Sequence, residues 1–206
     1  SAFTNFDDNI RMGSIQNISE EKGYWLRLEE DDVLELEGGP IKPDQKYFLN
    51  NGLNLISFPM PGYVPIEDAI FPEFDDKITY LIAEGRASLR HNGFWAGSLE
   101  YFEGTKGYWI NTNIDSDETL EFSYNLSNYS ELSKMGNKEL NSSDFAINQS
   151  SLQSFYFVEK IEGINIGDWI LAYNNNVLVG AREWKGSMVD IPLMGSDGHF
   201  STSGYL

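Results

Sequence analysis

Cysteine is absent from the 206-residue chain. That absence excludes disulfides, thiolate nucleophiles, and cysteine-ligated zinc or iron–sulfur centres. It leaves the compartment open, because many bacterial surface proteins are built without disulfides. Histidine is scarce: His91 and His199 are the two present, and neither lies in a nucleophile elbow or a metal-binding helix motif. Basic residues are few, with 14 Lys and Arg against 32 Asp and Glu, for a formal net charge of −18. Such a charge repels phosphate backbones and anionic lipid surfaces, so no nucleic-acid or peripheral membrane partner is expected. No apolar run reaches the roughly 20 residues of a membrane-spanning helix, so no membrane insertion is expected either.

What is present points to a folded, strand-rich chain. The hydrophobic fraction is 41% and the aromatic fraction 14%, too high for a chain that stays disordered. Aromatic residues, Asn and Gly are plentiful while Ala is not, a balance that favours strands and turns over helices. The expected fold class is all-β.

The chain also carries an internal similarity. Gly13-Ser14-Ile15 through Lys22-Gly23-Tyr24-Trp25-Leu26 matches Gly97-Ser98-Leu99 through Lys106-Gly107-Tyr108-Trp109-Ile110 at one constant offset. With small gaps the match extends to Ala2 with Ala87, and to Leu34-Glu35-Leu36 with Leu120-Glu121-Phe122. A duplicated β-rich unit is therefore expected. Its forward part, Tyr47 to Gly85, has no counterpart before Ser1, so the chain is expected to begin inside a repeat of a longer parent. The division that follows is 1–40 for a partial first copy and 41–125 for a complete second copy. Residues 126–150, rich in Ser and Asn, read as a linker or long loop. Residues 151–206 read as a second small β domain of sandwich type, with truncation at its end left open.

Alternating apolar residues in 107–111 and 119–123, separated by Asp115-Ser116-Asp117, predict a hairpin. The first copy repeats this pattern around an acidic turn at 29–32. Asn54 to Phe58 predicts a strand stopped by Pro59 and Pro61. Pro65 to Phe71 predicts a short helix with Glu67 and Asp68 in its first turn. Residues 75–84 fit a helical turn or a strand. Gly167 to Tyr173 and Val177 to Gly180 predict strands around the tight turn Asn174-Asn175-Asn176.

Catalytic signals are weak. Ser196-Asp197-Gly198-His199 gathers triad residue types, but a triad is defined in space, and adjacency in a turn does not supply one. Among 32 acids some carboxylate pair of glycosidase type can always be picked out, so such pairs carry no signal. No enzyme is expected and no catalytic residue is assigned. Calcium is the cofactor the acids suggest. Asp115, Asp117 and Glu118 space oxygen ligands along a turn, Asp7, Asp8 and Asn9 form a second cluster, and Asp190 and Asp197 flank a Gly-rich turn. None fits a twelve-residue EF-hand loop, and solvated turn acids are the competing reading for each.

The aromatic pairs are the candidate ligand-binding residues: Tyr24 with Trp25, and Tyr108 with Trp109. Neighbours on a strand face opposite sides, so one ring of each pair enters the core and the other is free to face out. Outward rings on one platform would stack on the apolar faces of sugars; a Trp filling its own core is the competing reading. Trp169 and Trp184 read as packing residues of the last domain.

Two groups of segments carry a resemblance. The first is Leu53-Asn54-Leu55-Ile56-Ser57-Phe58-Pro59, Ile82-Ala83-Glu84-Gly85, Gly97-Ser98-Leu99 and Lys106-Gly107-Tyr108-Trp109-Ile110. The second is Gly167-Asp168-Trp169-Ile170-Leu171-Ala172-Tyr173, Val179-Gly180-Ala181-Arg182 and Met194-Gly195-Ser196-Asp197-Gly198. In these the chain resembles repeat modules of large secreted and cell-surface proteins, of the kind exported as type IX secretion-system cargo by marine and gliding bacteria. The resemblance implies an extracellular or cell-surface location, and a non-catalytic structural or adhesion module of a longer surface or filament-forming protein. Its partners would be other copies of itself, other surface proteins, or glycans. Two other assignments fit a repeated β module: a virion fibre or capsid decoration component, and a carbohydrate-binding accessory module of a secreted enzyme.

Overall fold

The structure is a computed structural model. It describes the backbone of 2–5 and 10–13, and residues 15, 17–26, 33, 42–127 and 145–206 in full. Strands dominate, and no described helix is long and apolar enough to cross a membrane. The fold is all-β.

Two short strands, β1 (Ala2–Asn5) and β2 (Ile10–Gly13), pair antiparallel. The next unit contains β3 (Tyr47–Asn50), β4 (Gly52–Ser57), β5 (Tyr63–Pro65), α1 (Ile66–Ala69), β6 (Ile78–Ala83) and β7 (Arg86–His91). It continues with β8 (Phe94–Gly97), β9 (Tyr101–Glu103), β10 (Gly107–Thr112) and β11 (Thr119–Phe122). Its main sheet has the order β4-β10-β6-β7-β8, with neighbours antiparallel. Two small pairs, β3 with β11 and β5 with β9, accompany it.

Alternation decides which side chains meet. Along β10, Tyr108, Ile110 and Thr112 are buried while Gly107, Trp109 and Asn111 are not; along β3 and β11 every second residue is buried. These period-two faces close on one core with Phe58, Phe74, Phe102 and Tyr124. The rings meet edge to face: Phe102 with Tyr108 at 4.8 Å, Phe122 with Tyr124 at 4.9 Å and Phe102 with Tyr124 at 5.0 Å between centroids. Pro65 presets the backbone for α1, and Glu67 in its first turn accepts a hydrogen bond from the Trp95 backbone N–H at 2.9 Å. Residues 78–83 form a strand, as one of the two sequence readings expects.

The expected hairpin of 107–111 with 119–123 does not form. Both edges of β10 are taken, by β4 and by β6, so β11 leaves the main sheet and pairs with β3. The acidic turn Asp115 to Glu118 links the two strands. The matching turn at 29–32 and the segment 34–36 lie outside the described residues.

The last unit has β12 (Gln153–Val158), β13 (Trp169–Asn174), β14 (Val177–Glu183) and β15 (Val189–Met194). β12 pairs with β15, and β13 with β14 through a turn in which Asn175 takes a left-handed φ of 53°. The two pairs pack through β14 and β15. A Cβ on Gly180 would stand 1.8 Å from the Pro192 carbonyl oxygen, so only glycine permits this approach. Val179, Met194 and Tyr205 form the small core, with Ile147 against it. The described ends of 126–150 therefore pack on their neighbours: Leu126 joins the first core and Ile147 the second.

The two units are joined by polar contacts around one buried carboxylate. Asp190 is fully buried. Its Oδ2 accepts from the Ala87 backbone N–H at 3.1 Å, the Ser98 hydroxyl at 2.9 Å and Arg182 Nη2 at 2.9 Å, and its Oδ1 accepts from the Ser98 backbone N–H. Beside it, Arg182 Nη2 donates to the Gly85 carbonyl at 2.7 Å, and the Gln153 amide bonds both the Gly85 N–H and the Ala83 carbonyl. Burial raises the carboxyl's pKa above the ordinary 3.8, against the pull of Arg182 and Ser98.

Candidate functional site

The outer face of the main sheet is set by β10. Because Tyr108 enters the core, Trp109 must face out, and its partners Leu55 on β4 and Ile82 on β6 share that face. Tyr108 is wholly buried, and its hydroxyl accepts a hydrogen bond from the Glu103 backbone N–H at 2.7 Å. Burial pushes its phenol well above the ordinary tyrosine pKa of 10.0.

The first Lys-Gly-Tyr-Trp motif lies against the second. Lys22 bridges to Ile56 of β4; the Gly23 N–H donates to the Leu55 carbonyl at 3.2 Å, and the Ser57 N–H donates to the Glu21 carbonyl at 3.3 Å. The Ser57 hydroxyl donates to the Glu20 carbonyl. Gly23 then packs on the Leu55 side chain and on Gly107, and a Cβ on either glycine would come 3.1 Å from the Cα of the other. The Tyr24 hydroxyl accepts from the Ser19 backbone N–H at 2.8 Å, five residues before it, as the Tyr108 hydroxyl does from Glu103.

Between the motifs lies a groove of about 420 Å³. Tyr24, Trp25, Leu26, Leu55, Ile82 and Trp109 supply its aromatic and apolar lining, with Tyr108 beneath them in the core; Glu84, Arg86, Glu103, Lys106 and Gln149 supply polar groups. Trp25 is 40% exposed, and Trp109 is half-buried. The charges pair with one another: Arg86 with Glu103 at 2.8 Å and Lys106 with Glu84 at 3.8 Å. All three parts of the chain contribute, because Gln149, ahead of β12, closes against Gly85.

The four aromatic residues singled out by the sequence thus come together around one groove. In the second motif the Tyr fills the core and the Trp faces the groove. Leu55, Ile82 and Gln149 escaped the sequence reading; the alternation of 53–57 and 78–83 held the signal for the first two, and nothing local marks Gln149.

The other candidates are dispersed. Asp115, Asp117 and Glu118 stand exposed on the β10–β11 turn, and among the described residues no three acidic or His side chains gather as a metal site. Asp7, Asp8 and Asn9 lie outside the described residues. Asp190 is engaged by Arg182, Ser98 and Ala87. Asp197 serves the last turn, accepting from the His199 N–H at 3.2 Å and the Thr202 hydroxyl at 2.8 Å. His199 Nδ1 meets the Ser201 hydroxyl at 2.6 Å and caps the same turn. Since Asp197 reaches the His199 backbone and Ser201 is only two residues on, the contacts close a turn. No family model matches the chain, and neither a curated protein nor a solved structure matches it.

Proposed function

We propose that this chain is a non-catalytic binding module of a secreted or cell-surface bacterial protein, serving adhesion within a longer parent in which the Lys-Gly-Tyr-Trp unit recurs. One observation carries the reading: Trp25 and Trp109, one from each motif, line a single open groove with Tyr24 on the outer face of the main sheet. Half-exposed aromatic rings beside paired charges suit recognition. The turn-bound contacts of His199 and Asp197 offer no competing catalytic arrangement. The resemblance to type IX secretion-system cargo modules fits this reading in location and in the expectation of a larger parent.

Assembly along a filament or a virion fibre is the second reading. It draws on the Gly23–Gly107 contact, in which one motif of the unit packs on the other. Beads coated with the purified chain test the first reading: they should adhere to bacterial cells or polysaccharide-coated surfaces, and adhesion should fall with Trp25→Ala. A chain that forms closed rings or filaments in sedimentation and electron microscopy, and does not adhere, would favour assembly instead.

A further inference from the structure

We infer that the groove takes an uncharged carbohydrate, lying with the apolar faces of its rings against Trp25 and Trp109. The inference rests on the groove being the module's binding site, and adds the chemical class of ligand.

Charge decides the first point. Among the described residues the groove has two cations, and each stands beside a carboxylate: Arg86 with Glu103 at 2.8 Å, both largely buried, and Lys106 with Glu84 at 3.8 Å, both half-exposed. An anionic ligand would have to draw Arg86 from its buried pair with Glu103 or meet Lys106 with Glu84 beside it, and would approach a chain of net charge −18. A cationic ligand would likewise compete with Lys106 or Arg86 for its carboxylate. A neutral ligand avoids both costs.

Backbone pairing decides the second. The floor is made of β4, β10 and β6, and β10 has neighbours on both edges. β4 is the edge strand of the sheet. Beside the groove its outer edge is taken by Glu21 to Gly23, through the Gly23 N–H to the Leu55 carbonyl and the Ser57 N–H to the Glu21 carbonyl. An extended peptide recognised by strand addition would have to displace them. Side chains must do the recognising. Trp25, Trp109, Leu55 and Ile82 offer apolar area, while Glu84, Lys106 and Gln149 bring donors and acceptors suited to hydroxyl groups. A sugar presents both kinds of surface, a flat apolar face and a rim of hydroxyls. The volume of about 420 Å³ has room for a short stretch of glycan and lies within the usual range for ligand sites.

The test uses the whole chain on a glycan array carrying neutral, sulfated and uronate glycans, with calcium or with EDTA, followed by calorimetry on the strongest binders. Neutral glycans should bind in either condition, and Trp25→Ala should weaken binding about tenfold or more. The same substitution should leave near-UV dichroism in the range of a folded chain, and Tyr173→Ala, an exposed aromatic of the last unit, should leave binding unchanged. Binding confined to anionic glycans, no glycan binding, or neutral binding indifferent to Trp25→Ala would overturn the inference. Adhesion of coated beads distinguishes the two failures. If glycans fail but Trp25-dependent adhesion persists, the carbohydrate falls and the binding module stands; if both fail, the module reading falls as well.

Discussion

Gly23 and Gly107 occupy the same position in the two Lys-Gly-Tyr-Trp motifs, and a Cβ on one would stand 3.1 Å from the Cα of the other. On Gly107 the nearest obstruction is the Gly23 backbone; on Gly23 the Leu55 side chain, at 2.8 Å, stands nearer still. The close approach of the motifs, and with it the groove between their Tyr-Trp pairs, depends on two residues without side chains.

Gly107→Val should therefore force the motifs apart. Overpacking of this kind costs about 1–3 kcal/mol, read as a lower urea midpoint. Trp25 should become more accessible to fluorescence quenchers. An unchanged midpoint together with unchanged quenching would mean that the two motifs are not in contact in solution.

The paired tyrosines differ in what they protect. Tyr108→Phe leaves the buried Glu103 N–H without its acceptor, a loss of about 1–3 kcal/mol. Tyr24→Phe should cost less, because Ser19 and Tyr24 are only half-buried and water can reach the freed N–H. Burial raises the phenols of Tyr47, Tyr108 and Tyr124 above the ordinary 10.0. The folded chain thus holds these protons more tightly than the unfolded one, and stability is lost as the pH rises above that value. Alkaline denaturation curves for the parent and for Tyr108→Phe check this, with a shallower fall expected in the variant.

Asp190 links the last unit to the one before it. Asp190→Ala removes the acceptor facing Arg182, Ser98 and the Ala87 N–H, and breaking such a buried pair costs about 3–5 kcal/mol. Separate unfolding of the two units is the expected calorimetric sign. Because the carboxyl's pKa is raised above 3.8 by burial, its contribution is fully present at or below that value. It is lost as the pH climbs through the raised value. Asp190→Asn, which cannot ionise, should be less stable and should lack this slope.

Calcium should leave the melting temperature unchanged, since Asp115, Asp117 and Glu118 lie exposed on a turn and no three acidic groups gather among the described residues. A rise with calcium that disappears in Asp117→Asn would restore that turn as a site.

Much of this arrangement is legible in the sequence, for physical reasons that differ by element. Alternation in 107–112 identifies a strand and puts Tyr108 and Trp109 on opposite faces, but polar Asn111 and Thr112 fall one on each face, so which ring enters the core is settled only by the packing. Pro65 with Glu67 and Asp68 announces α1. The repeated Tyr-Trp pairs point to the groove. The partner of β10 is not legible, since pairing with β4 and β6 spans long stretches of chain and nothing local excludes a hairpin with β11. Nor is the role of Asp190: in Val189-Asp190-Ile191 it looks like the polar member of an alternating strand, whereas donors from β7 and from Ser98 enclose it. In the first hairpin, the pairing sets Ala2 opposite Gly13, while Ser88 is opposite Gly97.

The groove is tested most directly by the indole N–H signals of the five tryptophans, followed by nuclear magnetic resonance while neutral oligosaccharides are added to the whole chain. Signals of Trp25 and Trp109 should shift with a common saturation curve while those of Trp95, Trp169 and Trp184 stay in place. Saturable binding that moves only the latter three, or leaves all five unmoved, would contradict the assignment of the groove as the binding site.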